Sequence, residues 1–263
     1  MTNVIPLAAG WRIARSSMSL IFDHVSFRYG RRKPVFDEFM LRIDARATVL
    51  LGPNGAGKST LMALAASHLA PSSGSVTFDG DTARGRRLAG YRQRVAWIPQ
   101  QITPMPGLTV REQVAYAGWL KGMSRAAAWK ASEGALRRVD LIRLAERKSH
   151  QVSGGQLRRM GIAGALTHRS ELILMDEPTA GLDPTQRQVF RELVDDLASH
   201  VQVIVSTHQT EDLADLYTHV AVLAHGKICF QGSPADFCAL APADTRGRER
   251  AEAAYVALVG REI

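Results

Sequence analysis

Cysteine is scarce in this sequence: two residues, Cys229 and Cys238, in 263. The two stand nine positions apart and do not spell a zinc motif. The pair does not make a secreted disulfide framework either, and the reading is structural thiols in a reducing cytoplasm. No apolar run reaches the length of a membrane span. The one near the start, "LAAG", is bounded by Pro6, Trp11 and arginines. A secretory leader is not expected. There is no internal repeat and no low-complexity linker. Acidic charge is also in deficit, with 25 Asp+Glu against 33 Lys+Arg and a net charge of +8. The deficit is local. Residues 121–170 hold 11 basic and 3 acidic side chains, and the remainder holds 22 of each. Three readings fit such a segment: a nucleic-acid contact, a position beside an anionic membrane or acidic partner, and a solvated arginine-rich helical face.

At 46% hydrophobic, the chain can bury a core of one large α/β domain or two small ones. "SLIFDHVSFRY" alternates as a strand, "FMLRIDARATVLL" reads as strand, turn, strand, and "SGSVTFDG" and "RVAWIPQ" are short strands. From Thr109 to Arg147 the apolar period becomes helical, opened by a capping-box spelling at Thr109 and Glu112. "GGQLRRMGIAGALTH" continues as helix. Strands and helices then alternate through "ELILMDEP", "TQRQVFRELVDDLASH", "VQVIVSTH", "EDLADLYTH", "VAVLAHG" and "KICFQG". The expected fold is α/β, a mainly parallel sheet with helices on both faces. A helical block at about 102–165 interrupts the alternation as an inserted subdomain. Residues 1–17 show no sustained period and are expected to be a loose arm. The main domain is expected over 18–240, with a short helical tail at 241–263.

"GPNGAGKST", Gly52 to Thr60, spells a phosphate-binding loop. Gly52, Gly55 and Gly57 free the backbone of Cβ atoms, so that N–H groups from Asn54 to Thr60 can face one anion. Lys58 would reach the β and γ phosphates and Ser59 would ligate magnesium. An apolar strand precedes the loop and an apolar helix follows, so the helix N-terminus adds partial positive charge. "LILMDEP" is an apolar strand ending in two acids, where an α/β sheet meets its ligand. Asp176 suits magnesium, and Glu177 suits the proton of an attacking water. "VSGGQLRRM" opens a second helix at Ser153, Gly154 and Gly155, another anion-friendly start.

In order and spacing, these motifs resemble the ATP-binding-cassette ATPases over about residues 18–240. "GPNGAGKST" resembles the family's P-loop and "VSGGQ" its signature "LSGGQ", with Val152 for the usual leucine. "AGLDP" resembles the loop in which Asp183 faces a second cassette, and "VSTH" places His208 at the switch histidine. Gln100 in "WIPQQ" falls at the glutamine loop that approaches magnesium and γ-phosphate. Tyr29 in "SFRYG" falls where a ring stacks on adenine. The resemblance implies a P-loop NTPase core with an antiparallel β flank and an inserted α-helical subdomain. It implies ATP with magnesium held between two cassettes, with Ser153, Gly154, Gly155 and Gln156 of one chain closing on the ATP of the other. Glu177 and His208 are the catalytic pair it implies. A separate integral membrane permease is the implied partner, so the chain would sit on the inner face of the cell membrane. The ending "AEAAYVALVG" and "LMDEPTAGLDP" look like stand-alone exporter cassettes, and short amino-acid-type importer cassettes are the alternative. Cassette ATPases of chromosomes or ribosomes show long coiled coils, zinc cysteines or paired cassettes, none of which is seen, so no nucleic acid is expected. A scaffold without turnover is disfavoured by Asp176, Glu177 and His208 together.

Overall fold

In the computed structural model, residues 18–210, 213–243, 245, 247 and 249–260 are described. The arm expected at 1–17 lies outside them. The segment "FMLRIDARATVLL" does form strand, turn, strand, but its halves join different sheets. β1 (Leu20–Phe27) pairs antiparallel with β2 (Phe36–Ile43), while β3 (Ala47–Leu51) leaves to start the second sheet. From Phe39 to Ile43, after two exposed acids, β2 alternates buried and exposed residues, as expected of a sheet with one wet face. All five residues of β3 are buried, as expected of a strand covered on both faces.

After β3 come α1 (Lys58–Ala65), β4 (Ser73–Phe78), the two-residue β5 (Asp81–Thr82), α2 (Leu88–Arg94) and β6 (Val95–Ile98). The antiparallel sheet has the order β2-β1-β4-β5. Three helices follow: α3 (Val110–Leu120), α4 (Arg125–Arg138) and α5 (Gly154–Thr167). The capping box spelled at Thr109 is formed, with side-chain and backbone bonds exchanged between Thr109 and Glu112. Next are β7 (Leu172–Asp176), α6 (Pro184–Ala198), β8 (Gln202–Thr207), α7 (Leu213–Leu216), β9 (His219–Ala224), β10 (Lys227–Gly232), α8 (Pro234–Ala239) and α9 (Glu249–Val259). The second sheet runs β10-β9-β3-β8-β7-β6, parallel except for β10. One apolar cluster fills the space between the sheets around α1, and another lies on the opposite face under α5 and α6. The α/β architecture with an antiparallel flank is as expected.

α2 is not legible in the sequence. Its run "LAGYRQR" buries Tyr91 alone, so no helical stripe is legible. Tyr91 is nonetheless an anchor, donating its buried hydroxyl to the Ala65 carbonyl at the end of α1. Arg94, the last residue of α2, ties the flank to the main sheet. Its guanidinium bonds Asp79, Asp81 and Glu171, each at 2.8 Å.

His168, just past α5, contacts the Gln93 carbonyl through Nδ1 at 3.0 Å. Burial, aided by the charge of Lys121, pushes its pKa from 6.5 down to about 4. Between those values the unfolded chain binds a proton that the folded chain does not. Stability therefore falls as pH falls through that window, by roughly 1–2 kcal/mol from this residue after allowance for solvent screening. His168→Gln keeps a donor for the carbonyl and removes the titration. Urea unfolding at several pH values should show a shallower acid limb in the variant than in the wild type.

Candidate functional site

β3 delivers the chain into the P-loop at Gly52. A Cβ there would lie 2.3 Å from the Leu223 carbonyl oxygen on β9, so close backbone packing excludes any side chain. Gly57, at φ +104°, caps α1 in a left-handed conformation that a larger residue would strain. The turn aims the first residue of α1, Lys58, back under the loop. Its buried ammonium donates to the carbonyls of Gly52 at 2.6 Å and Pro53 at 3.1 Å, and lies 3.8 Å from Glu177 Oε1. Burial lowers the Lys58 pKa, and the nearby Glu177 and Asp176 charges oppose that shift.

Those acids arrive from β7, whose five residues are all buried. Asp176 accepts a bond from the Ser206 hydroxyl of the adjoining β8. The Glu177 N–H donates to the Ser206 carbonyl at 3.0 Å and to its hydroxyl at 3.2 Å. Glu177 itself takes φ +45°, so the chain turns sharply where the strand stops. Its carboxylate meets His208 Nδ1 at 3.0 and 3.1 Å and accepts from the Thr207 hydroxyl at 3.4 Å. Ser206 and Thr207 were missed as site residues. Their signal was present in "VSTH", beside the His208 that was found, but pairing of β8 with β7 is what places them.

A cleft of about 420 Å³ brings together Tyr29, P-loop residues Asn54, Gly55, Gly57, Lys58, Ser59 and Thr60, and also Gln100, Glu177 and His208. Tyr29 stands at its rim, 45% exposed, with its hydroxyl 3.2 Å from Thr60 Oγ1 and its ring edge-on to Phe27. The cleft fits a magnesium nucleotide. Gly55 has open space where a Cβ would be, and the buried Lys58 has backbone carbonyls as its hydrogen-bond partners. Ser59 and Gln100 line the cleft and Asp176 lies buried behind it, close enough for its charge to act on Lys58, and all three offer oxygen ligands of the kind magnesium takes.

The signature residues gather elsewhere. Ser153 caps α5 and exchanges bonds with Gln156 in a capping box. Ser153, Gly155 and Gln156 line a second cleft of about 170 Å³ with Leu182, Thr185 and Gln186. Asp183 caps α6 through the Gln186 N–H at 2.9 Å, and a Cβ on Gly155 would lie 2.5 Å from Gln186 Oε1. Gly154 is exposed, with nothing within 4 Å of where its Cβ would be. Within one chain, then, the signature joins the Asp183 loop and not the P-loop cleft.

A strand, a glycine loop closing on a buried lysine, and a strand two places along the same parallel sheet ending in acids define a P-loop NTPase. A family model described as ABC transporter matches residues 41–180, and the chain belongs to that family. It is 34% identical over 197 residues to the linearmycin resistance ATP-binding protein LnrL of Bacillus subtilis, covering 74% of this chain and 63% of that protein. It is 37% identical over 205 residues to the cobalt import ATP-binding protein CbiO of Rhodobacter capsulatus, covering 76% and 73%. Among solved structures, cbiO1 from Clostridium perfringens, part of the ABC transporter complex cbiONQ, superposes with TM-score 0.72 at 26% identity, covering 84% of this chain and 90% of that one. The chain thus spans less than two thirds of LnrL, and its relatives' names include both resistance and import.

Proposed function

We propose that this chain is the ATP-hydrolysing subunit of a membrane transporter, with residues 18–240 as the cassette and the helices between about 102 and 165 as its inserted subdomain. The observation that carries the reading is the approach of Lys58 to Glu177, 3.8 Å apart in one cleft though they lie on separate elements. Lys58 and the P-loop amides hold the β and γ phosphates, and Tyr29 offers its ring to the adenine. Ser59, Asp176 and Gln100 would hold magnesium, which would supply positive charge against the phosphoryl oxygens. Glu177 takes the proton of the attacking water, and His208 orients that carboxylate and contacts the γ-phosphate. Ser153, Gly154, Gly155 and Gln156, with Asp183, serve the second cassette's nucleotide. That assignment accounts for their separation from the P-loop cleft of their own chain.

No helix among the described residues is long and apolar enough to cross a membrane. A separate permease is the proposed channel, with this chain at the inner face of the membrane, a reading supported by the likeness to cbiO1, part of the complex cbiONQ. Export is the preferred direction, supported by the match to LnrL. Import is the second reading, supported by the match to CbiO at similar identity. Affinity purification of the tagged chain from native membranes tests the transporter reading. One integral membrane protein is expected in fixed ratio to the chain. Recovery with ribosomes or DNA instead would place it among the non-transport cassettes.

A further inference from the structure

The corner where α3 turns into α4 exposes two indoles in a stretch without acids. Residues 113–132, "QVAYAGWLKGMSRAAAWKAS", contain three basic side chains and no Asp or Glu. Trp119 is 43% exposed, Leu120 59% and Trp129 42%. Their placement follows from the helix crossing. A Cβ on Gly118 would lie 3.3 Å from the Cβ of Ala128, so these two residues face each other across the pair. In antiparallel helices, one residue on from each facing position turns about 100° to the same side. Trp119 and Trp129 therefore share a side, and Arg125, one turn before Trp129, joins them.

Local contacts do not hide this surface. Trp119 leans on Tyr116, with centroids 5.4 Å apart, and Trp129 carries the Arg111 guanidinium 4.1 Å from its ring. Both indoles stay exposed. Lys121 turns inward and donates to the carbonyls of Arg92 and Val95, whereas Arg125 and Lys130 are exposed. The acids flanking this stretch are engaged, Glu112 in the capping box and Glu133 with Arg111 and Arg137.

We propose that this corner rests on the surface of an anionic phospholipid bilayer. An indole has an apolar body and a polar N–H, which suits the boundary where one end is apolar and the other wet. Arg125 on the indole side, and the exposed Lys130 one position beyond Trp129 on the outer face of α4, complement the phosphates of the headgroups. A nucleic-acid backbone asks for a longer basic track than two outward cations supply. The surface would seat the chain against the membrane independently of nucleotide chemistry.

Cosedimentation of the full chain with vesicles tests this, using phosphatidylcholine alone and phosphatidylcholine with phosphatidylglycerol. Binding is expected to the anionic vesicles, to weaken with salt, and to be slight to the neutral ones. Arg125→Ala with Lys130→Ala should weaken it roughly thirtyfold, and Trp119→Ser should weaken it further. ATP affinity and melting temperature, measured on the same variants, should be unchanged and so exclude misfolding. A wild-type chain that ignores anionic vesicles overturns the proposal and leaves an acidic protein as the partner. Binding that survives the triple variant also overturns it, because the contact then lies elsewhere. Either failure leaves the ATPase reading intact, since nucleotide affinity is read separately.

Discussion

Glu177→Gln is expected to slow ATP hydrolysis by about 10²–10⁴-fold while leaving ATP binding in place. The carboxylate is buried, and its partners are His208 at 3.0 Å, Thr207 at 3.4 Å and the Lys58 ammonium at 3.8 Å. Glutamine keeps the size and one acceptor oxygen, so these neighbours stay in contact. The backbone turn is unaffected, because Ser206 holds the Glu177 N–H rather than its side chain. The amide cannot take the proton from water. Loss of one negative charge beside the phosphates also lowers repulsion in a closed pair of cassettes. The variant should therefore run as a dimer in ATP and as a monomer in ADP. Adding Ser153→Arg should abolish that dimer by filling the exposed start of α5. Phosphate release and light scattering during size-exclusion chromatography measure both effects. Wild-type turnover would remove Glu177 from catalysis. A slow but monomeric variant would overturn the head-to-tail arrangement of two cassettes.

Lys58→Ala is expected to weaken ATP binding by at least about 30-fold, from the 2–5 kcal/mol lost when one partner of a buried charged pair is truncated. Two effects add. The cation that meets the phosphates is gone, and Asp176 and Glu177 are left facing them without its compensation. The carbonyls of Gly52 and Pro53 also lose their donor, which should lower the melting temperature modestly. Alanine suits the first turn of α1, so the helix should persist. Isothermal titration with ATP, alongside circular dichroism, separates the two effects. Unchanged affinity in a folded variant would overturn the P-loop assignment.

The site was legible where chemistry repeats in local spelling. Gly52 to Thr60 is one continuous stretch, and a strand–loop–helix needs only its own residues to be recognised. "LILMDEP" was legible through its pairing with the P-loop upstream, since by itself an apolar strand ending in two acids also spells a plain turn at Pro178. α2 was not legible. Its seven residues bury one side chain, and arginines hide the period. Ser206 and Thr207 were not legible as site residues because hydroxyls near a strand end have many roles. Their bonds to Asp176 and Glu177 exist only once β8 lies beside β7.

By itself, the sequence determined the alternation of strands and helices, the phosphate loop, the acidic strand end, the helix-capping box at Thr109 and the helix start at Ser153. Each follows from residues within a few positions of one another, where backbone geometry and side-chain reach set the outcome. The tertiary structure alone decided that β2 and β3 part into different sheets, although three residues separate them. It also decided that Lys58, Glu177 and His208 converge while the signature at Ser153 stays with the Asp183 loop of its own chain. Strand order brings distant residues together, and burial of β3 and β7 on both faces sets that order. Such burial is a property of the packed layers, which no single stretch of sequence contains.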